Sequence, residues 1–267
     1  MNQYEKRMLA ILEQGKASNG IVAVKAEFEA EGTRVDELLR LLEIARRAGV
    51  KVAIKIGGCE AVRDLIECRI YGADYIIAPM IETPYALTKY IAAKDKVYPL
   101  SEQEEVCFLF NVETRQTFDH LDAMASVAKD GRVGMVFGRV DFAGSMGHKR
   151  DFVNSDEMRG YVARVSEVCR DKDLELVVGG GVSPDSIPLL SSVLPARLDR
   201  FETRKVVFDA NIVKNPAVAS GGMELAMEFE LLWLRNKRDY YQNIASEDEA
   251  RIDMMEQRQR TAVKAAA

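Results

Sequence analysis

The sequence predicts an α/β fold of the closed (β/α)8 TIM-type barrel class, with a C-terminal helical extension. Short apolar runs alternate about seven times with longer amphipathic segments, which is the pattern of repeated strand–helix units. The runs are β-branched and almost continuously apolar, as expected of parallel strands covered on both faces. A chain of 267 residues, 48% of them hydrophobic, is long enough for one such domain.

The strands follow an amphipathic N-terminal helix in MNQYEKRMLAILEQG, whose alternating charges are unlike a signal peptide. Seven strands are evident in the apolar runs at 20–29, 51–58, 73–82, 106–113, 133–141, 174–182 and 200–210. The eighth strand is not evident. It is either the irregular segment KVYPL at 96–100, or the barrel is incomplete.

Helices are predicted between these strands at 33–49, 59–72, 83–94, 114–131 and 155–173. The strand signal stops near Gly221, and the remaining chain reads as two helices broken near Ala245–Ser246. We therefore predict a barrel domain at 1–220 and a helical extension at 221–267. The apolar side of this extension, around Trp233, is expected to pack on a neighbouring subunit in a homo-oligomer.

Composition excludes several classes of partner. The net charge is −5 and the basic residues are scattered among more numerous acids, which argues against nucleic acid. The longest apolar runs are too short to span a bilayer, so no membrane partner is expected. The four cysteines form no C-x-x-C pair, which predicts free thiols in a reducing cytoplasm.

Two apolar runs end at an acidic residue, Glu113 in CFLFNVE and Asp141 in GMVFGRVD. The carboxyl ends of barrel strands open on one face, so carboxylates one βα unit apart should be neighbours there. With only two histidines in the chain, any metal must be held mainly by oxygen, which favours Mg²⁺ or Mn²⁺. The alternative is two strand-end acids with no shared partner.

NVETRQTFDHLDAM followed by GMVFGRVDFAGSMG resembles the metal-binding core of the HpcH/HpaI aldolase and citrate lyase β-chain family, and ADYIIAPMIETPYALTKYI is similar as well. The resemblance implies that Glu113 and Asp141 bind a divalent metal, and that backbone amides from Gly138 to Asp141 face a substrate carboxylate. It also implies a lyase or aldolase that acts on a 2-oxo acid through a pyruvate-type enolate.

The chain departs from the family where its aldolases carry an arginine, because Lys55 stands there in AIKIGG. Lysine keeps the positive charge but loses the planar fork that grips two oxygens. Lys55 is thus a candidate catalytic cation. A Schiff base on this lysine is the alternative.

The family's catalytic histidine falls on Phe28, so the usual general base is absent. Strand alternation places Lys25, Glu27 and Glu29 on the face opposite Phe28. We expect Glu27 or Glu29 to act as the base and Lys25 to bind substrate, or Lys25 and Glu27 to form a structural ion pair. His148 is a further candidate acid or base.

Two more features suggest anion binding. Arg139 replaces a family proline in GRVD, where it either contacts an anion at the mouth of the site or pairs with a loop acid. The turn VVGGGVSP exposes backbone N–H groups at Gly180 and Gly181, and Arg204 follows on the next strand. A phosphorylated substrate would fit these residues, although glycine turns are also common for structural reasons.

Three functions therefore remain open. The first is the metal-dependent aldolase. The second is a synthase that condenses pyruvate or phosphoenolpyruvate with a sugar aldehyde. The third is an inactive barrel that serves as a binding or scaffold subunit, for which Phe28 and Lys55 are the argument and the intact carboxylate pair the counter-argument.

Overall fold

The structure is a computed structural model that describes residues 1–266, with side chains to residue 262. Eight strands close into one barrel in chain order, which confirms the predicted fold class. The strands are β1 (Ile21–Glu27), β2 (Lys51–Lys55), β3 (Tyr75–Ala78), β4 (Cys107–Val112), β5 (Gly134–Gly138), β6 (Leu176–Gly179), β7 (Arg200–Glu202) and β8 (Val206–Asp209).

Helices surround the barrel and account for each predicted helical segment. They are α1 (Gln3–Ser18), α2 (Val35–Ala48), α3 (Val62–Tyr71), α4 (Pro84–Val97), α5 (Leu100–Gln103), α6 (Arg115–Asp119), α7 (Leu121–Gly131), α8 (Arg139–Ser145), α9 (Asp156–Lys172), α10 (Ile187–Val193) and α11 (Pro216–Ala266). Short 3-10 turns lie at Arg150–Asn154, Pro184–Ser186 and Ala210–Lys214.

The eighth strand lies inside the run that was predicted as one strand, 200–210. This run is a hairpin, because Thr203 reverses the chain and its backbone N–H donates to the Val206 carbonyl at 2.9 Å. β8 is consequently antiparallel to both β7 and β1, whereas the other neighbouring pairs are parallel. The prediction that KVYPL might be a strand is wrong, since that segment ends α4 and begins α5.

Two apolar layers support the site. The larger layer lies between the strands and the helices. The smaller fills the barrel interior with eight side chains from seven strands, every strand except β7: Ala23, Ala53, Tyr75, Ile77, Leu109, Val136, Val177 and Val207. Because side chains alternate along a strand, the next inward-facing residues lie directly above this smaller layer, toward the carboxyl ends of the parallel strands. They include the polar residues Lys25, Lys55 and Asn111.

The C-terminal segment is one continuous helix, α11, and the predicted break at Ala245–Ser246 is wrong. No proline or glycine interrupts this part of the helix, and the Ser246 hydroxyl donates back to the Gln242 carbonyl at 2.9 Å. The first part of α11 packs along α1 and buries Trp233. Beyond residue 241 the described side chains are almost all exposed, and packing on a neighbouring subunit stays a prediction.

Among residues 1–266, no helix is both long and apolar enough to pass through a lipid bilayer. All four cysteines are free thiols, as predicted.

Candidate active site

Glu113 directly follows β4 and is 1% exposed. The backbone N–H of Met80 donates to its Oε1 at 2.9 Å, and the amide of Asn111 donates to its Oε2 at 2.6 Å. Met80 adopts φ 51°, a left-handed conformation that is costly for a side chain of this size and is often found at functional sites. Gly138 leaves the space that Glu113 occupies, because a Cβ there would lie 3.0 Å from its Cβ and Oε2. The carboxylate is thus held in one orientation.

Asp141 lies in the first turn of α8, immediately after β5, and not on the strand end that its sequence context predicted. It is exposed, whereas Glu113 is buried. β4 and β5 are neighbours, with Val112 paired to Phe137, so the two acids belong to adjacent βα units as predicted.

The pKa of Glu113 is raised, chiefly because burial penalises its charged form and also because Asp141 adds a second negative charge. The ammonium of Lys55 and the hydrogen bonds from Met80 and Asn111 oppose this shift without cancelling it. The charged form of Glu113 is therefore only partly stabilised by its protein neighbours, and a bound cation would stabilise it further.

Lys55 ends β2 and points to the same place, with its Nζ 3.9 Å from Glu113 Oε2 and 3.2 Å from Glu29 Oε2. Burial alone would lower the pKa of this lysine, but the carboxylates of Glu113, Glu29 and Glu27 outweigh it and raise the pKa. Lys55 is therefore an ammonium ion at neutral pH. This charge suits the stabilisation of a negative oxygen and disfavours the Schiff-base alternative, which requires a neutral amine.

Lys25 extends from β1 into the barrel and binds a carboxylate that sequence reasoning had not proposed as a site residue. Its Nζ lies 2.5 Å from Oε1 of Glu202 and 3.7 Å from Oε1 of Glu27. Glu202 ends β7 next to Gly179, where a Cβ would lie 3.0 Å from its Cγ. Glu202 is not evident as a site residue when 200–210 is read as a single strand. The feature that could have identified it is a glutamate facing into the barrel just before the chain reverses.

Phe28, which stands where the family has its catalytic histidine, points away from the site. Phe28 packs against the layer between strands and helices, as strand alternation predicted. His148 is exposed and stacks on the ring of Phe152, with centroids 3.9 Å apart. Glu27 and Glu29 are therefore the better placed of the predicted proton-transfer groups.

Arg139 is fully buried, and the prediction that it lines the mouth of the site or pairs with a loop acid is wrong. Its guanidinium donates to the carbonyls of Gly179 and Val153 at 3.0 and 3.2 Å, and to the side chains of Asn154 and Ser186 at 2.8 and 3.2 Å. Burial without an acidic partner lowers its pKa to about 10. Arg139 thus links the end of β6 to the 3-10 turns at Arg150–Asn154 and Pro184–Ser186.

The glycine turn after β6 is built for close packing. Gly180 has φ +79°, and a Cβ there would lie 2.6 Å from the backbone nitrogens of Arg139 and Val140. Gly181 also has a positive φ, of +68°. Arg204 lies in the turn between β7 and β8, where its Nε donates to Glu31 at 3.1 Å. Anion binding by Gly180, Gly181 and Arg204 stays a prediction.

The donor atoms at the mouth fit a hard divalent cation. Among the described residues no three His, Cys, Asp or Glu side chains cluster as a ready-made metal site, so Glu113 and Asp141 would need further oxygen donors. Asn111 supplies a buried amide oxygen, Oδ1, that accepts no hydrogen bond from the part of the chain that the structure describes. Oxygen ligands with positions left open for water and substrate are typical of Mg²⁺ sites.

Comparisons with known proteins identify the family and the fold. A sequence model described as HpcH/HpaI aldolase/citrate lyase matches residues 22–180. Comparison with curated proteins finds no match.

Solved structures show the same fold at low sequence identity. An HpcH/HpaI aldolase/citrate lyase family protein from Burkholderia cenocepacia superposes with a TM-score of 0.61 and 14% identity over 90% of each chain. An HpcH/HpaI aldolase from Desulfitobacterium hafniense gives a TM-score of 0.59 and 13% identity over 76% of this chain and 83% of that one. A variant of the citrate synthase SbnG gives 0.52 and 15% identity over 73% and 81%. The chain belongs to the HpcH/HpaI aldolase/citrate lyase family.

Proposed function

We propose that this protein is a divalent-metal-dependent carbon–carbon lyase or aldolase that acts on a 2-oxo acid through a pyruvate-type enolate. The observation that supports the proposal most strongly is the buried Glu113, fixed by two hydrogen bonds, with an acid and an ammonium beside it. Glu113 and Asp141 would hold Mg²⁺ or Mn²⁺, which when bound supplies positive charge to polarise the keto oxygen of the substrate.

Lys55 is the protein's own electrostatic contribution. Its ammonium is held between Glu29 and Glu113, so it is oriented before substrate arrives. A fixed cation beside an oxygen that becomes negative lowers the barrier more than the same cation in water, because no solvent has to reorganise. Lys55 would stabilise the enolate oxygen or the substrate carboxylate.

Glu29 or Glu27 would act as the general base. Oε2 of Glu29 is buried and accepts no hydrogen bond of good geometry from any residue that the structure describes, although Lys55 lies within ion-pair distance. An oxygen in this state can take a proton from a substrate bound at Lys55 without first losing a hydrogen bond. Glu27 is the second candidate, since it is only loosely paired with Lys25 at 3.7 Å.

The balance of charge favours an enzyme over an inactive scaffold. Five carboxylates, from Glu27, Glu29, Glu113, Glu202 and Asp141, lie around the two ammonium groups of Lys25 and Lys55. Glu27 also faces Lys205 and Arg204, which are paired with Glu31, so the carboxylates stay in excess. An excess of negative charge in a mostly buried site lowers stability unless a cation offsets it.

The test is exchange of the methyl protons of pyruvate with deuterium, followed by NMR. We expect exchange with Mg²⁺ or Mn²⁺ and none after chelation, because enolisation needs the cation. Glu113→Gln should reduce exchange to background, and Lys55→Met should reduce it about 10²–10³-fold. Exposed Glu105→Gln, just before the same strand, is the matched control and should not change the rate. Exchange that survives chelation or the loss of Glu113 would contradict the proposal.

A further inference from the structure

Asn111 is the residue whose arrangement the proposed roles do not explain. Its side chain points into the barrel between Leu109 and Glu113, on the inward face of β4, and it is 5% exposed. Side-chain oxygens this deeply buried nearly always accept a hydrogen bond, and the exceptions call for an explanation such as a bound water or ion. Its Oδ1 is buried and accepts none from any described residue.

The orientation of the amide is fixed by its neighbour. Nδ2 lies 2.6 Å from Oε2 of Glu113, a normal distance for an N–H donor and a carboxylate. Rotating the amide by half a turn would bring two acceptor oxygens together at that distance. Nδ2 therefore faces Glu113, and Oδ1 points elsewhere and takes no part in this hydrogen bond.

The missing partner must bring positive charge or a donor group, because an amide oxygen can only accept. The side chains beneath Asn111 are the apolar Leu109 and Val136, which offer neither. The partner must therefore enter from the mouth, where the carboxylate of Glu113 lies against the same amide.

We propose that Asn111 Oδ1 is a third oxygen ligand for the divalent cation held by Glu113 and Asp141. This inference rests on the proposed function, since it assumes that a cation binds there. It gives Asn111 two roles at once: Nδ2 orients Glu113, and Oδ1 binds the metal.

Mn²⁺ titration followed by electron paramagnetic resonance measures binding without reference to activity. We expect Asn111→Leu to weaken Mn²⁺ binding about 10- to 100-fold, the range typical when a group close to a metal is removed. Asn111→Asp keeps the oxygen ligand but loses the N–H that orients Glu113, so it should bind Mn²⁺ more tightly than Asn111→Leu. Thermal unfolding without metal shows whether each variant is folded.

A cysteine at position 111 distinguishes direct metal binding by this residue from a role that only orients Glu113. Asn111→Cys places sulfur at the ligand position, and a soft thiolate prefers Cd²⁺ to Mn²⁺. Cd²⁺ should then produce an ultraviolet sulfur-to-metal charge-transfer band that the native protein lacks. Val112→Cys is the matched control, because its side chain lies on the opposite face of the same strand, between strand and helices, and should give no band.

The outcomes distinguish this inference from the proposed function. If the native protein binds no Mn²⁺, both are overturned. If the native protein binds Mn²⁺ and Glu113→Gln does not, while Asn111→Leu matches the native affinity, only the role of Asn111 is overturned. A folded Asn111→Cys protein without the Cd²⁺ band likewise overturns it, because sulfur at that position would then not reach the metal.

Discussion

Two buried glutamates at the mouth of the barrel, Glu113 after β4 and Glu202 at the end of β7, have matching surroundings and different charge balance. Each lies beside a glycine of an adjacent strand whose missing side chain makes room for it, Gly138 for Glu113 and Gly179 for Glu202. Glu202 has an ammonium, that of Lys25, at 2.5 Å. The ammonium nearest to Glu113 is 3.9 Å away.

The difference shows where a ligand is needed. A carboxylate in direct contact with an ammonium is satisfied by the fold itself, so the Lys25–Glu202 pair acts mainly as structure. A buried carboxylate with a distant ammonium and an acidic neighbour is left with charge to offer. Lys25, predicted to bind substrate or to form a structural pair with Glu27, has Glu202 as its nearer partner.

The largest effect should come from breaking the satisfied pair. Glu202→Gln removes the nearer partner of a buried ammonium and leaves Lys25 with only the more distant Glu27, so we expect the free energy of unfolding to fall by about 3–5 kcal/mol. Glu113→Gln without metal should leave stability unchanged or raise it, because it removes a buried charge that Lys55 offsets only from 3.9 Å. Denaturant unfolding of both variants in chelator measures the contrast. Equal losses of unfolding free energy in the two variants would contradict the proposed difference in charge balance between the two glutamates.

A smaller effect should come from filling the two glycine gaps. Gly138→Ala and Gly179→Ala each introduce a methyl group about 3.0 Å from the neighbouring glutamate, and overpacking of this kind costs about 1–3 kcal/mol. Only Gly138→Ala should also weaken Mn²⁺ binding, because only Glu113 is proposed to hold the metal. Isothermal titration with Mn²⁺ tests this, and equal affinities in the two variants would contradict the assignment.

The smallest effect concerns Glu31, a third carboxylate near the mouth that is paired as Glu202 is. Burial alone would raise the pKa of Glu31, but Lys205 and Arg204 outweigh it and lower the pKa. A carboxylate with a lowered pKa stabilises the fold above its ordinary pKa and loses this contribution as the pH falls through the lowered value. Glu31→Gln should therefore be less stable than the native protein at pH 7.

The difference in stability between native and Glu31→Gln proteins should disappear in acid, below the lowered pKa. Urea unfolding at a series of pH values measures it. A difference that persists at the lowest pH would mean that the salt bridges to Glu31 contribute through packing and not through charge.

The sequence located most of the site because strand alternation and strand ends are local properties. Lys25, Glu27, Lys55 and Glu113 all lie at or near the ends of runs that were recognised as strands. The error at Arg139 has a physical cause. Nothing local distinguishes an arginine that faces the substrate from one that turns inward to bind carbonyls of Gly179 and Val153.

The sequence by itself determined the barrel, its helices and the pair of acids on neighbouring βα units, because periodicity and the order of elements are carried by the chain. Only the tertiary structure decided that β8 runs antiparallel, that Glu202 meets Lys25, and that Asn111 has an oxygen without a partner. These features depend on contacts between residues far apart in the chain, such as Lys25 and Glu202, which are 177 positions apart, and no local pattern encodes such contacts.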